Sequence, residues 1–282
     1  MIDLVHTISE TRIAIQKQIS AGKTIGFVPT MGALHEGHLK LIRQAAAEND
    51  FVAVSIFVNP IQFNNPEDLA KYPRTLDDDL KKLVGTGCSL VFAPSAQEMY
   101  PEPDLTEFDF GELDKVMEGK FRPGHFEGVA IVVKRLFEIV TPHKAYFGEK
   151  DFQQLAIIKK MVEKMKLPIE IVACPIIREA DGLAMSSRNV LLQPQHRALA
   201  PLIHKTLLLA VEKAQTLPLE KIKTWVVEQI NSSEYLKVEY FDIVDENRLT
   251  SLKSLQHGKK QVGCIAVWAG NVRLIDNIVF NL

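Results

Sequence analysis

Thr24-Ile-Gly-Phe-Val-Pro-Thr-Met-Gly-Ala-Leu-His-Glu-Gly-His38 runs from an apolar stretch, through glycine-bearing turns, to two histidines three positions apart. Immediately after it, Leu39, Leu41, Ile42, Ala45 and Ala46 fall at helical spacing. The order reads as strand, turn and helix, with imidazoles at the helix mouth. The first N–H groups of a helix have no partner within it, and the helix dipole places partial positive charge there. An anion is favoured at such a position. Imidazoles add hydrogen bonds to a phosphate that gains charge during reaction. Gly32 and Gly37 let backbone approach where a side chain would block it. His35 and His38 are therefore candidate phosphate ligands, and the stretch marks a place for phosphate chemistry.

Outward from this point the same rhythm repeats. Strands are predicted at Ile25–Val28, Val52–Val58, Ser89–Ala93, Ala145–Phe147 and Ile169–Cys174, and helices at His38–Asn49, Leu76–Val84, Val129–Val140 and Phe152–Met165. Several strands are apolar throughout, as when helices cover both faces of a parallel sheet. The fold class is α/β, a Rossmann-like doubly wound parallel sheet whose ligands bind beyond the strand carboxyl ends. Tyr100–Gly124, rich in Pro, Asp and Glu, reads as a loop or lid. Beyond Arg188 two helical stretches, Gln195–Gln215 and Leu219–Asn231, precede strands at Lys237–Val244, Val262–Trp268 and Val272–Val279. Ala269-Gly-Asn271 suits a hairpin between the last two. The expected division is 1–175, a Rossmann-like domain, and 176–282, a smaller C-terminal α+β domain.

Composition narrows the function classes. With 282 residues, 46% hydrophobic and 24% charged, the chain is that of a globular protein with ample core. A net charge of −2 implies no global pull toward nucleic acid or anionic membrane. Cys88, Cys174 and Cys264 lack zinc spacing and read as buried reduced thiols. No secretory leader or membrane-length apolar run is present, so a cytoplasmic protein is expected.

Three further segments carry polar chemistry. Phe57-Val-Asn-Pro-Ile-Gln-Phe63 follows the second strand and offers Asn59 and Gln62 to a polar substrate, or is simply a turn. Phe147-Gly-Glu-Lys-Asp-Phe-Gln-Gln154 puts Lys150 at a helix start, unfavourable for the dipole unless an anion is near, with Gln154 one turn beyond. The bland alternative pairs Lys150 with Glu149 or Asp151. Asp181-Gly-Leu-Ala-Met-Ser-Ser-Arg-Asn189 combines hydroxyls, amides and the fork-like donors of Arg188, which fit a polyphosphate. Asp78 and Asp79 read as an acidic helix start, with a water-mediated Mg²⁺ contact as the weaker alternative.

Together PTMGALHEGH at 29–38, FVNPIQF at 57–63, FGEKDFQQ at 147–154 and DGLAMSSRN at 181–189 resemble the pantoate–β-alanine ligases, a family of His-x-Gly-His nucleotidyltransferases. KYPRTLDDDL at 71–80 and FRPGHFEGV at 121–129 add to the likeness. The resemblance implies ATP-dependent condensation of pantoate with β-alanine through pantoyl adenylate, releasing pyrophosphate and AMP. It implies that Met31, Gly32, Ala33, Leu34, His35, Glu36, Gly37 and His38 form one ATP-binding wall, with His38 as proton donor and His35 supporting the phosphates. It implies that Gly148, Glu149, Lys150, Asp151, Ile177, Met185, Ser186, Ser187 and Arg188 line the nucleotide. Lys150 and Arg188 would neutralise phosphate oxygens. Gln62 and Gln154 would hold pantoate, and residues 176–282 would close over the ATP site. Mg²⁺ with ATP and a homodimer are further implications.

No covalent nucleophile is needed, in agreement with the lack of a Ser–His–Asp or Cys–His pattern. The tRNA-charging members of the superfamily carry two lysines around their serines, where this chain has Arg188 alone. The rival readings are another small nucleotidyltransferase that stops after adenylyl transfer and a silent nucleotide-binding regulator.

Overall fold

The computed structural model describes residues 2–281. Its strands are β1 (Asp3–Val5), β2 (Ile25–Thr30), β3 (Phe51–Ile56), β4 (Leu90–Phe92), β5 (Lys144–Gly148), β6 (Glu170–Cys174), β7 (Leu236–Asp245), β8 (Gln261–Ala269) and β9 (Val272–Phe280). The first six form one sheet in the order β1-β4-β3-β2-β5-β6, and every pairing in it is parallel. β7, β8 and β9 form a separate antiparallel sheet. The architecture is thus α/β with a small antiparallel C-terminal sheet.

Strand order sets the location of chemistry. From β2 the chain proceeds to β3 and β4 on one side, then to β5 and β6 on the other. The direction reverses between β2 and β5, and a crevice opens beyond the carboxyl ends at such a point. Past β2 lie Met31–His38, and past β5 lies Glu149. Ile25, Phe27 and Val28 of β2 are fully buried, consistent with a strand covered on both faces.

The chain divides into two compact units. The first runs to Phe110 and includes Arg122–Glu149 and Ile157–Pro175. The second comprises Gly111–Phe121, Lys150–Ala156 and the chain from Ile176 onward. Alternation along the second unit's strands explains its composition. Ile265 and Val267 of β8 pack with the helices Leu202–Lys213 and Leu219–Asn231. Val262 and Cys264 point the other way, onto Met117, Leu113, Val116, Phe152 and Ala156. Inserted pieces of the early chain therefore cover one face of the late sheet. Leu219, Ile222, Val226 and Ile230 recur at helical spacing and are buried on the opposite face.

Several details differ from local expectation. Within Tyr100–Gly124, Met117–Phe121 is helical, and Met117 and Glu118 are buried. Its anchor is a charge cluster: Arg273 donates to both carboxylate oxygens of Glu118 at 2.7 Å and to Glu239 at 2.9 Å. The Tyr240 hydroxyl also donates to Glu118 at 2.8 Å. Composition reported loop chemistry there, but the partners lie on distant strands. The expected helix Gln195–Gln215 is two, Pro194–Leu199 and Leu202–Lys213, because Pro201 has no N–H to continue the ladder. β1 and the helix Ile8–Ser20 are additional elements. The first spans three residues, and the second buries only Thr11 and Ile15, so neither shows strong periodicity. The hairpin joining β8 to β9 pairs Ala269 with Val272 across Gly270-Asn271.

Cys88, Cys174 and Cys264 are buried and form no disulfide. Burial pushes the Cys88 thiol up to about 12 and the Cys174 thiol up to about 11. Among the described residues, no helix is long and apolar enough to cross a membrane.

Candidate active site

In the first unit, the turn after β2 is built around a buried carboxylate. Asp79, from the helix Leu76–Leu83, accepts the backbone N–H groups of Ala33 at 2.9 Å and Leu34 at 2.7 Å. The Thr75 hydroxyl donates to the same carboxylate at 3.3 Å, and Lys82 donates to the Leu34 carbonyl at 2.7 Å. Gly32 takes φ +80°, and a Cβ there would stand 3.0 Å from Ile56 and 3.2 Å from Asp79. Only glycine fits that position without strain. Asp79 holds the turn through both oxygens, and Asp78 pairs with Lys81 at 2.8 Å. The metal alternative for these two aspartates finds no support in that arrangement.

The turn delivers His35 as the N-cap of the helix Glu36–Glu48, with extended φ −131° and ψ 173°. The His35 backbone N–H donates to Nδ1 of His38 at 3.3 Å, and the two ring centroids are 4.0 Å apart. A neutral imidazole that accepts at Nδ1 carries its proton at Nε2. His38 is thereby prepared as an Nε2–H donor at a helix N-terminus. Glu36 turns along the helix to pair with Arg43, leaving its place at the mouth to backbone.

Gln62 sits in a short 3₁₀ turn, Pro60–Gln62, directly after β3, and is buried. Its orientation follows from Asn59, whose amide donates to Gln62 Oε1 at 3.1 Å and to the Gly128 carbonyl at 3.1 Å. The Tyr100 hydroxyl donates to Asn59 Oδ1 at 2.9 Å. Asn59, only 1% exposed, is occupied in holding Gln62 and does not present its own amide. With its oxygen taken, Gln62 directs Nε2 at the Met31 sulfur, 3.1 Å away. The backbone of Gln62 is clamped as well. Arg122 donates to His125 Nε2 at 3.1 Å, so Nδ1 bears the ring proton and donates to the Gln62 carbonyl at 2.9 Å. A Cβ on Gly128 would lie 2.6 Å from the Ile61 carbonyl oxygen and 2.8 Å from Gln62 Cα. The first unit thus brings together Met31–His38 and Gln62, with Gly148 and Glu149 at the end of the neighbouring strand β5.

The second unit holds the other sequence-predicted residues. Lys150 and Asp151 occupy a 3₁₀ turn leading into the helix Phe152–Met165. Lys150 pairs with Asp151 at 3.2 Å, and its side chain is 19% exposed. Gln154 is half-buried on the first turn of that helix. The adjacent Gln153 is buried and accepts from the Glu118 N–H at 3.0 Å while donating to the Leu113 and Val116 carbonyls. Ile177 and Met185 lie on opposite arms of a small hairpin, joined by the Met185 N–H to the Ile177 carbonyl at 2.9 Å. Ser186, Ser187 and Arg188 follow it, and the Arg188 N–H donates to the Ser186 hydroxyl at 3.2 Å.

Asp79, Asn59, His125, Gly128 and Gln153 support the candidate residues, and each lies inside one of the quoted motifs. Of these the sequence singled out only Asn59 and Asp79, Asn59 for contact with a substrate rather than for holding Gln62, and Asp79 as a helix start rather than as the acceptor of the turn. As for a metal, among the described residues no three His, Cys, Asp or Glu side chains converge to hold one.

The chain matches the model of the Pantoate-beta-alanine ligase family over residues 3–279. It is 50% identical over 277 residues to a pantothenate synthetase of Bacteroides fragilis, with 98% of each chain covered. A pantothenate synthetase of Phocaeicola vulgatus is 52% identical over 278 residues, covering 98% of this chain and 99% of the relative. The crystal structure of pantothenate synthetase from Thermus thermophilus matches 100% of both chains at 42% identity, with a TM-score of 0.92. That of pantoate-beta-alanine ligase from Francisella tularensis, complexed with Beta-gamma ATP and Beta-alanine, has 35% identity and a TM-score of 0.83, covering 99% of this chain and 98% of the other.

Proposed function

We propose, from the premise that the chain belongs to the pantoate–β-alanine ligase family, that it condenses pantoate with β-alanine in two ATP-driven steps. In the first, a pantoate carboxylate oxygen attacks the α-phosphorus of ATP. The new P–O bond replaces the bond to pyrophosphate, which leaves, and pantoyl adenylate forms. In the second, the β-alanine amine attacks the acyl carbon, the C–O bond to AMP breaks, and the amide product and AMP are released.

The observation that carries the first step is the His35–His38 contact at the helix mouth. It leaves the proton of a neutral His38 ring at Nε2, the form that supports a role in donating to a departing pyrophosphate as it gains charge. His35 and the helix N-terminal amides support the phosphates. The wall Met31–His38, with Gly148 and Glu149, is assigned to the nucleotide in the first unit. Lys150, Asp151, Ile177 and Met185–Arg188 are assigned to it in the second, Lys150 and Arg188 countering phosphate charge. Gln62 Nε2 faces Met31 sulfur, a weak acceptor; a pantoate oxygen is the better partner for that amide. Gln154 is assigned to the same substrate. Mg²⁺ on the phosphates would offset their charge and is held chiefly by the nucleotide. The family resemblance further implies a cytoplasmic homodimer.

The test is a half-reaction assay. With ATP and Mg²⁺, pyrophosphate should appear only when pantoate is present, and AMP should follow only on addition of β-alanine. Pyrophosphate release without dependence on pantoate would overturn the reading.

A further inference from the structure

Asp276 and Asn277 are consecutive in β9, and both are buried. A strand sends consecutive side chains to opposite faces of its sheet. Asp276 faces the helix layer, where its carboxylate accepts both guanidinium nitrogens of Arg178, at 2.7 and 3.0 Å. Arg178 also donates to the Gly182 carbonyl at 3.1 Å. These contacts pin the hairpin whose outgoing arm continues into Met185-Ser-Ser-Arg188. Asn277 faces the inserted segments, and its Nδ2 donates to the Lys150 carbonyl oxygen at 3.0 Å. The pair is itself locked, since the Asn277 N–H donates to the Asp276 carboxylate at 2.7 Å.

We propose that Asp276 and Asn277 are positioning residues for the ATP-activating step, holding the Lys150 turn and the Ser186–Arg188 loop at a fixed spacing through one strand. The inference rests on the roles given above to Lys150 and Arg188 toward phosphate. Lys150 comes from the end of β5 and Arg188 from the chain after β6, so local structure does not register one against the other. β9, the last element among the described residues, supplies that register. It does so with a bidentate charged pair on one face and an amide-to-carbonyl bond on the other. A bond to the Lys150 backbone sets where the side chain starts without altering its charge. Displacement of a donor by about 1 Å can cost roughly 10²-fold in rate.

Removing Asp276 would strand the Arg178 guanidinium and threaten the fold, so the test falls on neutral Asn277. Asn277→Leu keeps most of the volume and deletes the donor; Asn277→Ser is the smaller second variant, should the first not fold. Lys150→Ala serves as reference. The readouts are single-turnover pyrophosphate formation from ATP and pantoate, and the KM for pantoate. Each Asn277 variant should slow the step by roughly ten-fold or more, with pantoate KM unchanged within about two-fold. Combined with Lys150→Ala, the substitution should add little further loss. Folded Asn277 variants with wild-type rates overturn the positioning role. So does a loss that multiplies with that of Lys150→Ala. A normal rate for Lys150→Ala overturns instead the phosphate role of Lys150, whatever the Asn277 variants do.

Discussion

Asp79 Oδ1 accepts the backbone N–H of Leu34 at 2.7 Å across 45 positions of sequence. Its other oxygen takes the Ala33 N–H at 2.9 Å. The turn that presents His35 and His38 is therefore shaped by the helix Leu76–Leu83 as much as by its own glycine. A carboxylate oriented this way substitutes for strand pairing just where the chain leaves β2.

Asp79→Ala should leave two amide N–H groups without acceptors and destabilise the protein by about 2–4 kcal/mol. For a chain of this size that is a fall in Tm of roughly 5–10 °C. Asp79→Asn, which keeps one accepting oxygen, should fall less. Thermal unfolding of the three proteins checks the order, and equal Tm values for Asp79→Ala and wild type would remove the carboxylate from the turn.

His38→Ala should lower the single-turnover rate of pyrophosphate formation by roughly 10²-fold or more. The fold should be unchanged, because His38 is half-exposed at the end of its helix. Rapid-quench measurement with saturating ATP and pantoate decides the matter; a rate near wild type would exclude His38 as the donor.

Gly128→Ala should raise the KM for pantoate by about ten-fold while leaving that for ATP within about two-fold. The added Cβ would lie 2.6 Å from the Ile61 carbonyl oxygen, and the 3₁₀ turn carrying Gln62 must shift to admit it. Gln62→Ala should show the same selectivity. Steady-state kinetics varying each substrate separates the two effects, and equal losses for both substrates would mean that the turn serves the whole site.

His204 lies 3.9 Å from Asp276 and is held below its ordinary value of 6.5 by burial first and by Arg178 second, with Asp276 opposing. The unfolded chain then takes up the proton more readily than the folded one. The stability linked to neutral His204 is complete above the unfolded value and is lost as pH falls through the folded value. His204→Gln should therefore lose less stability than wild type between about pH 7.5 and about pH 5.5. Urea unfolding at the two pH values tests this, and parallel losses would place the titration elsewhere.

Much of the architecture was legible in spacing alone. Runs such as Ile25–Val28 declared buried parallel strands, and Leu219–Asn231 declared a helix, whose buried face the structure assigns to Leu219, Ile222, Val226 and Ile230. The Tyr100–Gly124 stretch was not legible, since its acidic composition matches a loop. Glu118 becomes a buried residue only because Arg273, 155 positions away, meets it.

The sequence by itself determined which chemistry the chain carries. Histidines after a strand-ending glycine turn, a lysine at a helix start and a Ser-Ser-Arg loop are local patterns, because backbone geometry and apolar spacing act over a few residues. Only the tertiary structure decided how those groups are aimed. Asp79 holds the turn before His35 from 45 positions away, the Gly128 carbonyl fixes the Asn59 amide beside Gln62 from 69, and Asn277 reaches the Lys150 carbonyl from 127. Contacts between distant segments depend on where strand order and the pleat of each sheet place them, and that is a property of the folded chain.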